Sequence, residues 1–550
     1  MGKLLVIPLA MVLLLAGAMA WSGGGPGERA DFTFINRGEI TTLDPARISW
    51  LQDLRISYAI WEGLYTLDPV TSAPVPGAAA SHELSPDKTR YTFRLRPDAR
   101  WSNGDPVTAG DFVFAWRRML RMPDEYTAMF HYIAGARDYQ EAYAADPAAG
   151  FDGVGVKAVD DRTLEVQLKH PVAFFLDLVA FTPFFPQHEP SMRPFARTEG
   201  GRTTYDERFT HPPHLVGNGP YVLDKWEFKR RIRLVASDTY WNRASLRNRV
   251  VEQISADDPQ TAYLKFHAGG VDWLSDTIPP IAAELKARND PNLVTFPGFG
   301  TYFYSVNCTP TLPDGSSNPF QDVRVRRAFA MAVDKRPVVE NVTRTGERIA
   351  TTYIPPGIFR GYDSPPGVAH DPTAARELLA AAGFPGGRGF PKVTLLFNTG
   401  AHHGDVAQVV RRQWLEVLGV DVGLEGVEVQ VFRSRLNKKQ YAIARASWIG
   451  DYPDPSTFTD KYRSFSDGND AGWKNEEYDR LCAAAATEPD PAERLAMLAW
   501  AEGLMVAESP IIPMYYYNNA YLMRPEVKGV PLEPRQLTMF NLMRVEADGR

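Results

Sequence analysis

Cysteine is nearly missing from this 550-residue chain, which has only Cys308 and Cys482. The fold therefore does not depend on a disulfide framework, and the two residues read either as one bridge or as two buried thiols. Positive charge is not in excess: 60 Lys and Arg face 66 Asp and Glu, for a formal net charge of −6. Without a basic tract, nucleic acid is not expected as a partner. No apolar run after the first twenty residues is long enough to span a bilayer. Catalytic signatures are missing too, since no G-x-S-x-G, H-E-x-x-H, C-x-x-C or G-x-x-x-x-G-K-S/T pattern occurs. His402-His403 and His211-Pro-Pro-His214 lack an accompanying carboxylate or thiol pattern. No metal, no cofactor and no enzymatic activity are expected, and a secreted peptide hydrolase is the different-class alternative these absences disfavour.

Hydrophobic residues make up 44% and charged residues 23%, the balance of a soluble globular chain, and the length allows roughly three to four domains. The first twenty residues stand apart. Lys3 precedes the uncharged run Leu4–Ala20, which closes on Ala18-Met19-Ala20 in the manner of a cleaved secretory signal; an uncleaved membrane anchor is the alternative. Residues 21–30 then read as a flexible leader.

Further on, strand and helix periodicities are mixed, which makes the class α/β or α+β. Tyr91, Phe93 and Leu95 alternate with polar neighbours, as do Leu164, Val166 and Leu168, so both segments read as half-buried strands. Between them Thr108-x-x-Asp111 opens a helix whose apolar face is Phe112, Ala115, Trp116, Met119 and Leu120. Asp371-Pro372 predicts a capped helix ending at Gly383, Val393–Phe397 a strand, and Val406–Leu418 a helix stopped by Gly419. A strand is expected to start at Val420–Val422, and a helix at Pro491–Val506 to lead into a strand at Ile511–Tyr517.

An ordered set of blocks resembles the periplasmic oligopeptide-binding proteins, solute-binding family 5 of the peptide and nickel ABC importers. The blocks are Thr42-Leu-Asp-Pro45, Trp61-Glu-Gly-Leu64, Tyr91–Arg96, Trp101–Thr108 with Asp111-Phe112, and Gly217–Tyr221. Tyr240-Trp-Asn242, Asp322–Arg327, Ala444–Tyr452 and Pro513–Tyr517 complete them. The resemblance implies a two-lobed periplasmic binding protein-like clamp with an extra third domain. Lobe I would comprise 31–61, 187–299 and 518–550, the extra domain 62–186, and lobe III 300–517. It also implies a monomeric periplasmic receptor that captures short peptides and delivers them to an ABC permease. Other solutes taken by the same fold remain the alternative: a murein peptide, an opine, a glycoside or a metal chelate.

By the same resemblance Asp451 would hold the peptide amine, and Ser49, Trp50 and Leu51 would pair with the peptide backbone together with Ala446, Ser447 and Trp448. Arg445 and His403 would serve its carboxylate end. Trp448, Tyr126, Tyr302 and Tyr517 would wall the pockets. The chain departs from the family pattern in three places. The family's lysine near Glu340–Arg344 is not reproduced, Asn341 or Thr343 standing there with Arg344 close by; Leu436 replaces an arginine with Arg435 beside it; and Gly300 and Ile449 stand where the family keeps a cavity disulfide.

Overall fold

The computed structural model describes residues 30–546 apart from 37, 69, 70, 72, 125, 401, 467, 531 and 538–542. The expected signal segment 1–20 and nearly all of the leader lie outside the described residues. The architecture is mixed α/β, organised by an 11-stranded sheet. Its strands in chain order are β1 (Phe32–Ile35), β2 (Tyr221–Glu227), β3 (Arg231–Ala236), β4 (Val250–Ile254), β5 (Trp273–Leu274) and β6 (Leu293–Val306). They continue with β7 (Arg348–Ile349), β8 (Thr394–Asn398), β9 (Gly423–Val427), β10 (Ile443–Ile449) and β11 (Ile511–Met523). Across the sheet they run β2-β3-β4-β1-β5-β11-β6-β10-β8-β9, with β7 added to β11.

The long strands β6 and β11, of 14 and 13 residues, tie the two ends of this sheet together. Their register shifts twice, once between Tyr302 and Phe303 and more widely before Thr301. At the wider break the pairing runs from Leu293↔Leu522 to Pro297↔Asn518 and resumes at Thr301↔Tyr516, so residues 298–300 of β6 oppose Tyr517 alone. Such a bulge bends its strand and raises the local twist. Glycine is needed there, because a Cβ on Gly300 would sit 2.4 Å from the Trp448 carbonyl oxygen. β6 is buried almost without interruption past this point, which explains why it reads as an apolar run rather than an alternating strand.

A separate antiparallel sheet is formed by Ala79–Leu84, Arg90–Leu95, Thr163–Gln167 and Val156–Asp160 in that spatial order. Helix α1 (Ala109–Arg121) starts as its sequence predicts: the Asp111 carboxylate accepts from the Thr108 amide at 2.8 Å and from Trp101 Nε1 at 3.2 Å. One buried cluster runs from β1 through this sheet and α1 to Phe184 and Phe185, so the 62–186 segment shares its core with the first half of the main sheet. The second half has its own clusters, one under Trp414 and one around Phe458, Tyr462 and Leu498.

Several expected elements are in place. Asp371 caps α2 (Pro372–Ala381) through the Thr373 and Ala374 amides, and Gly419 ends α3 (His403–Leu418) in the left-handed region at φ 71°. α4 (Pro491–Glu508) leads into β11, which runs on to Met523 because both its faces stay covered. Two expectations are corrected. Residues 420–422 precede the strand, which starts at Gly423, and Leu51 is the first residue of the helix Leu51–Ile60 rather than part of an extended segment. Cys308 and Cys482 are both free thiols. Among the described residues no helix is long and apolar enough to cross a membrane, and no group of three metal-ligating side chains occurs.

Candidate functional site

The strand β10 organises the site. Over Ile443–Ile449 it pairs with Val306–Gly300 of β6, whereas its other edge is paired to β8 only at Ile443 and Ala444. From Arg445 to Ile449 that second edge has no strand partner among the described residues. Directly opposed residues share a face, so Arg445 and Ser447 lie on the face of Tyr304 and Tyr302, and Ala446 and Trp448 on the face of Phe303 and Thr301. Gly300 and Ile449 are also directly opposed.

Just past β10 the chain turns through Gly450 and Asp451. The turn is tight: a Cβ on Gly450 would lie 2.3 Å from the Phe299 ring. The Asp451 amide donates to Thr457 Oγ1 at 2.9 Å, and Trp448 Nε1 donates to the Thr457 carbonyl at 2.9 Å. Tyr452 is buried and stacks on Phe174 with ring centroids 4.5 Å apart and an interplanar angle of 13°. These contacts fix Asp451 on the wall of an open cavity of about 550 Å³, lined also by Trp448, Tyr126, Met129, Tyr132, Asp460 and Lys461. Asp451 itself is exposed in this conformation. The Tyr126 hydroxyl donates to the Ser49 carbonyl at 3.4 Å, which brings Ser49 and its exposed neighbour Trp50 to the same rim.

A second group forms on the other face of β10. Arg445 Nη2 donates to the Tyr517 hydroxyl at 3.2 Å, and its guanidinium lies 5.0 Å from the Tyr302 ring centroid. Tyr302 stacks on Tyr515 at 4.7 Å, and its hydroxyl meets His403 Nδ1 at 3.3 Å. Burial, with Arg445 and His402 adding to it, pushes the His403 imidazole down to about 4, so it is neutral at pH 7. Arg445 is half-buried, its polar partners are phenols rather than carboxylates, and its Nε is buried without a hydrogen bond. A desolvated cation in that position favours an anion beside it.

The expected residues thus assemble as two groups on opposite faces of one strand, with Asp451, Trp448 and Tyr126 in one and Arg445, His403, Tyr302 and Tyr517 in the other. Lys461 was not expected. It pairs with Asp470 at 3.1 Å and lies 5.2 Å from the Trp448 ring centroid, and no local spacing signals it because it sits in a single 3-10 turn, Asp460–Tyr462. The remaining blocks are structural. The Glu62 carboxylate accepts from the Tyr240 hydroxyl at 2.6 Å and from Trp241 Nε1 at 2.7 Å, while Asn218 bonds the Glu62 backbone at both ends. Three of the sequence blocks therefore meet in one buried knot.

Comparison with known proteins places this geometry in context. Residues 73–470 match the family model described as bacterial extracellular solute-binding proteins, family 5 middle. The chain is 32% identical over 482 residues to the oligopeptide-binding protein OppA of Bacillus subtilis, covering 86% of this chain and 84% of that one. It is 33% identical over 522 residues to the periplasmic murein peptide-binding protein MppA of Escherichia coli, covering 93% and 92%. Among solved structures, the unliganded open form of the murein tripeptide-binding protein MppA superposes with a TM-score of 0.80 at 31% identity, covering 94% of this chain and 98% of that chain.

Proposed function

This chain belongs to the bacterial extracellular solute-binding proteins of family 5, and on that premise we propose that it captures short peptides in the cavity at Asp451 and delivers them to an ABC importer. The reading is of a binding protein rather than an enzyme, monomeric and extracytoplasmic. We divide it as lobe I (31–61, 187–299 and 518–550), extra domain (62–186) and lobe III (300–517), with the β6–β11 bulge as the hinge.

The observation that carries the proposal is the unpaired edge of β10 with Asp451 at its end. An extended peptide laid along that edge gains backbone hydrogen bonds as an added strand. Alternate side chains of a strand point to opposite faces, so one guest reaches both residue groups. Its amine meets Asp451 and its carboxylate approaches Arg445. The edge from Arg445 to Ile449 is about 13 Å long at ~3.3 Å per residue, which suits a guest of roughly three to five residues. The exposure of Asp451 fits an open clamp, and the similarity to an unliganded open form supports that reading. On closure the carboxylate would lose water and bind the ammonium more strongly.

Asp451→Ala is expected to weaken tripeptide and tetrapeptide binding by about 2–5 kcal/mol, the usual result of truncating one partner of a desolvated charge pair. N-acetylating the peptide should cost a similar amount in calorimetry. Unchanged affinity in both titrations would remove the amine anchor. A murein peptide is the second reading, favoured by the similarity to MppA. Native mass spectrometry of the purified receptor distinguishes the two by the mass of the retained guest.

A further inference from the structure

Away from the cleft, a cavity of about 240 Å³ lies between α1 and the segment 189–205. Four of its lining residues are arginines: Arg117, Arg118, Arg121 and Arg193. Phe114, Met122, Ala196 and Tyr205 supply the apolar part of the wall, and Thr203 and one carboxylate, Glu189, complete it. α1 is continuous over Ala109–Arg121, so Arg117 and Arg121 stand one turn apart on the same side of it.

The charges here are poorly offset. Arg118 is satisfied by Asp44, whose two oxygens lie 2.6 and 2.5 Å from Nη1 and Nη2, but its Nε is buried without a hydrogen bond. Arg193 reaches Glu189 only at 3.7 Å and is exposed. Arg121 bonds a neutral partner, the Tyr139 hydroxyl at 2.6 Å, and packs 5.0 Å from the Tyr143 ring centroid. Arg117 contacts the Phe151 ring at 6.0 Å. Neither of these last two has an acidic partner among the described residues. The peptide site does not use this cavity, whose lining shares no residue with the cavity at Asp451.

We propose that this cavity is a second binding site, specific for a phosphate-bearing ligand. A carboxylate is fully met by one guanidinium fork, as Asp44 is by Arg118. A phosphoryl group presents three outer oxygens and suits several forks arriving from different elements. A cavity of this size exceeds the ~30 Å³ share of a single water many times over, and its apolar wall accommodates a small organic body beside the phosphoryl group. A soluble phosphomonoester presents all three oxygens, whereas the phosphodiester of a phosphatidylglycerol headgroup presents two, with its negative charge uncompensated.

The test uses the full exported chain, glycerol 1-phosphate in calorimetry, and vesicles of phosphatidylglycerol against phosphatidylcholine in a pelleting assay. The wild type is expected to bind glycerol 1-phosphate or to pellet selectively with phosphatidylglycerol, and the first or second result names the source. The Arg117→Gln/Arg193→Gln variant should lose at least tenfold in that binding while keeping its peptide affinity and its melting temperature. Arg193→Gln alone, at an exposed position, serves as a second variant with an intermediate loss. Absence of binding to both probes by the wild type, or binding that the variants leave unchanged, overturns the proposal.

Discussion

Glu502 shows what a single buried residue contributes beside the cluster around Phe458, Tyr462 and Leu498. It is 1% exposed, on α4, and accepts from the amides of Tyr353 and Ile354 at 2.8 and 2.6 Å and from the Tyr362 hydroxyl at 2.6 Å. Burial pushes its carboxyl up to about 7 despite those three bonds. In the unfolded chain a glutamate titrates near ~4.3, so the folded protein holds this proton more tightly. The resulting stability is complete below about pH 4 and disappears as pH rises through 7. Glu502→Gln removes the titration and keeps an acceptor for the amides. The wild type should therefore gain on the order of 2 kcal/mol over the variant between pH 8 and pH 5, as read by urea denaturation at each pH. Parallel pH profiles for the two proteins would contradict this assignment.

At the scale of elements, the turn after β10 is held from outside its own half of the molecule. Phe174, in the 62–186 segment, stacks on Tyr452, and the Arg494 guanidinium lies 5.9 Å from the Phe174 ring centroid. Arg494 in turn grips Asp454 at 2.7 and 2.8 Å. Phe174→Ala should cost about 3 kcal/mol of stability and speed hydrogen exchange at the amides of 451–457. Exchange left unchanged there would show that the loop stands without Phe174. Elements of this kind were legible in the sequence where local rules govern them. Thr108 with Asp111, Asp371 with Pro372, and Gly419 each mark a boundary through a cap or a left-handed residue. Leu51 and residues 420–422 were misplaced because no local signal separates an extended entry from a first helical turn, or a loop from the strand that follows it. Tertiary packing decides both. The proximity of Lys461 to Trp448 was illegible for the same reason, since the single 3-10 turn that carries Lys461 is too short to show a period.

At the scale of the whole molecule, the main sheet is two halves joined by β6 and β11, with a separate four-stranded sheet beside the first half. The resemblance carried by ordered blocks anticipated the class of fold, whereas the split of the site residues over two faces of β10 emerges only from strand register. If the molecule closes on peptide as proposed, its radius of gyration in X-ray scattering should fall at saturating tripeptide. The Asp451→Ala variant should need correspondingly more peptide for the same change. Scattering curves that superpose with and without ligand would argue against domain closure.

If the bulge between β6 and β11 is the hinge proposed above, it gives this joint an inbuilt slack, three residues of backbone set against one. A joint with slack on one thread can flex without tearing the ladder on either side. Posture is then governed by whatever bridges the jaws rather than by stored tension. Every guest able to make that bridge would produce the same outer silhouette, so a downstream importer could distinguish laden from empty receptors while remaining blind to the cargo's sequence.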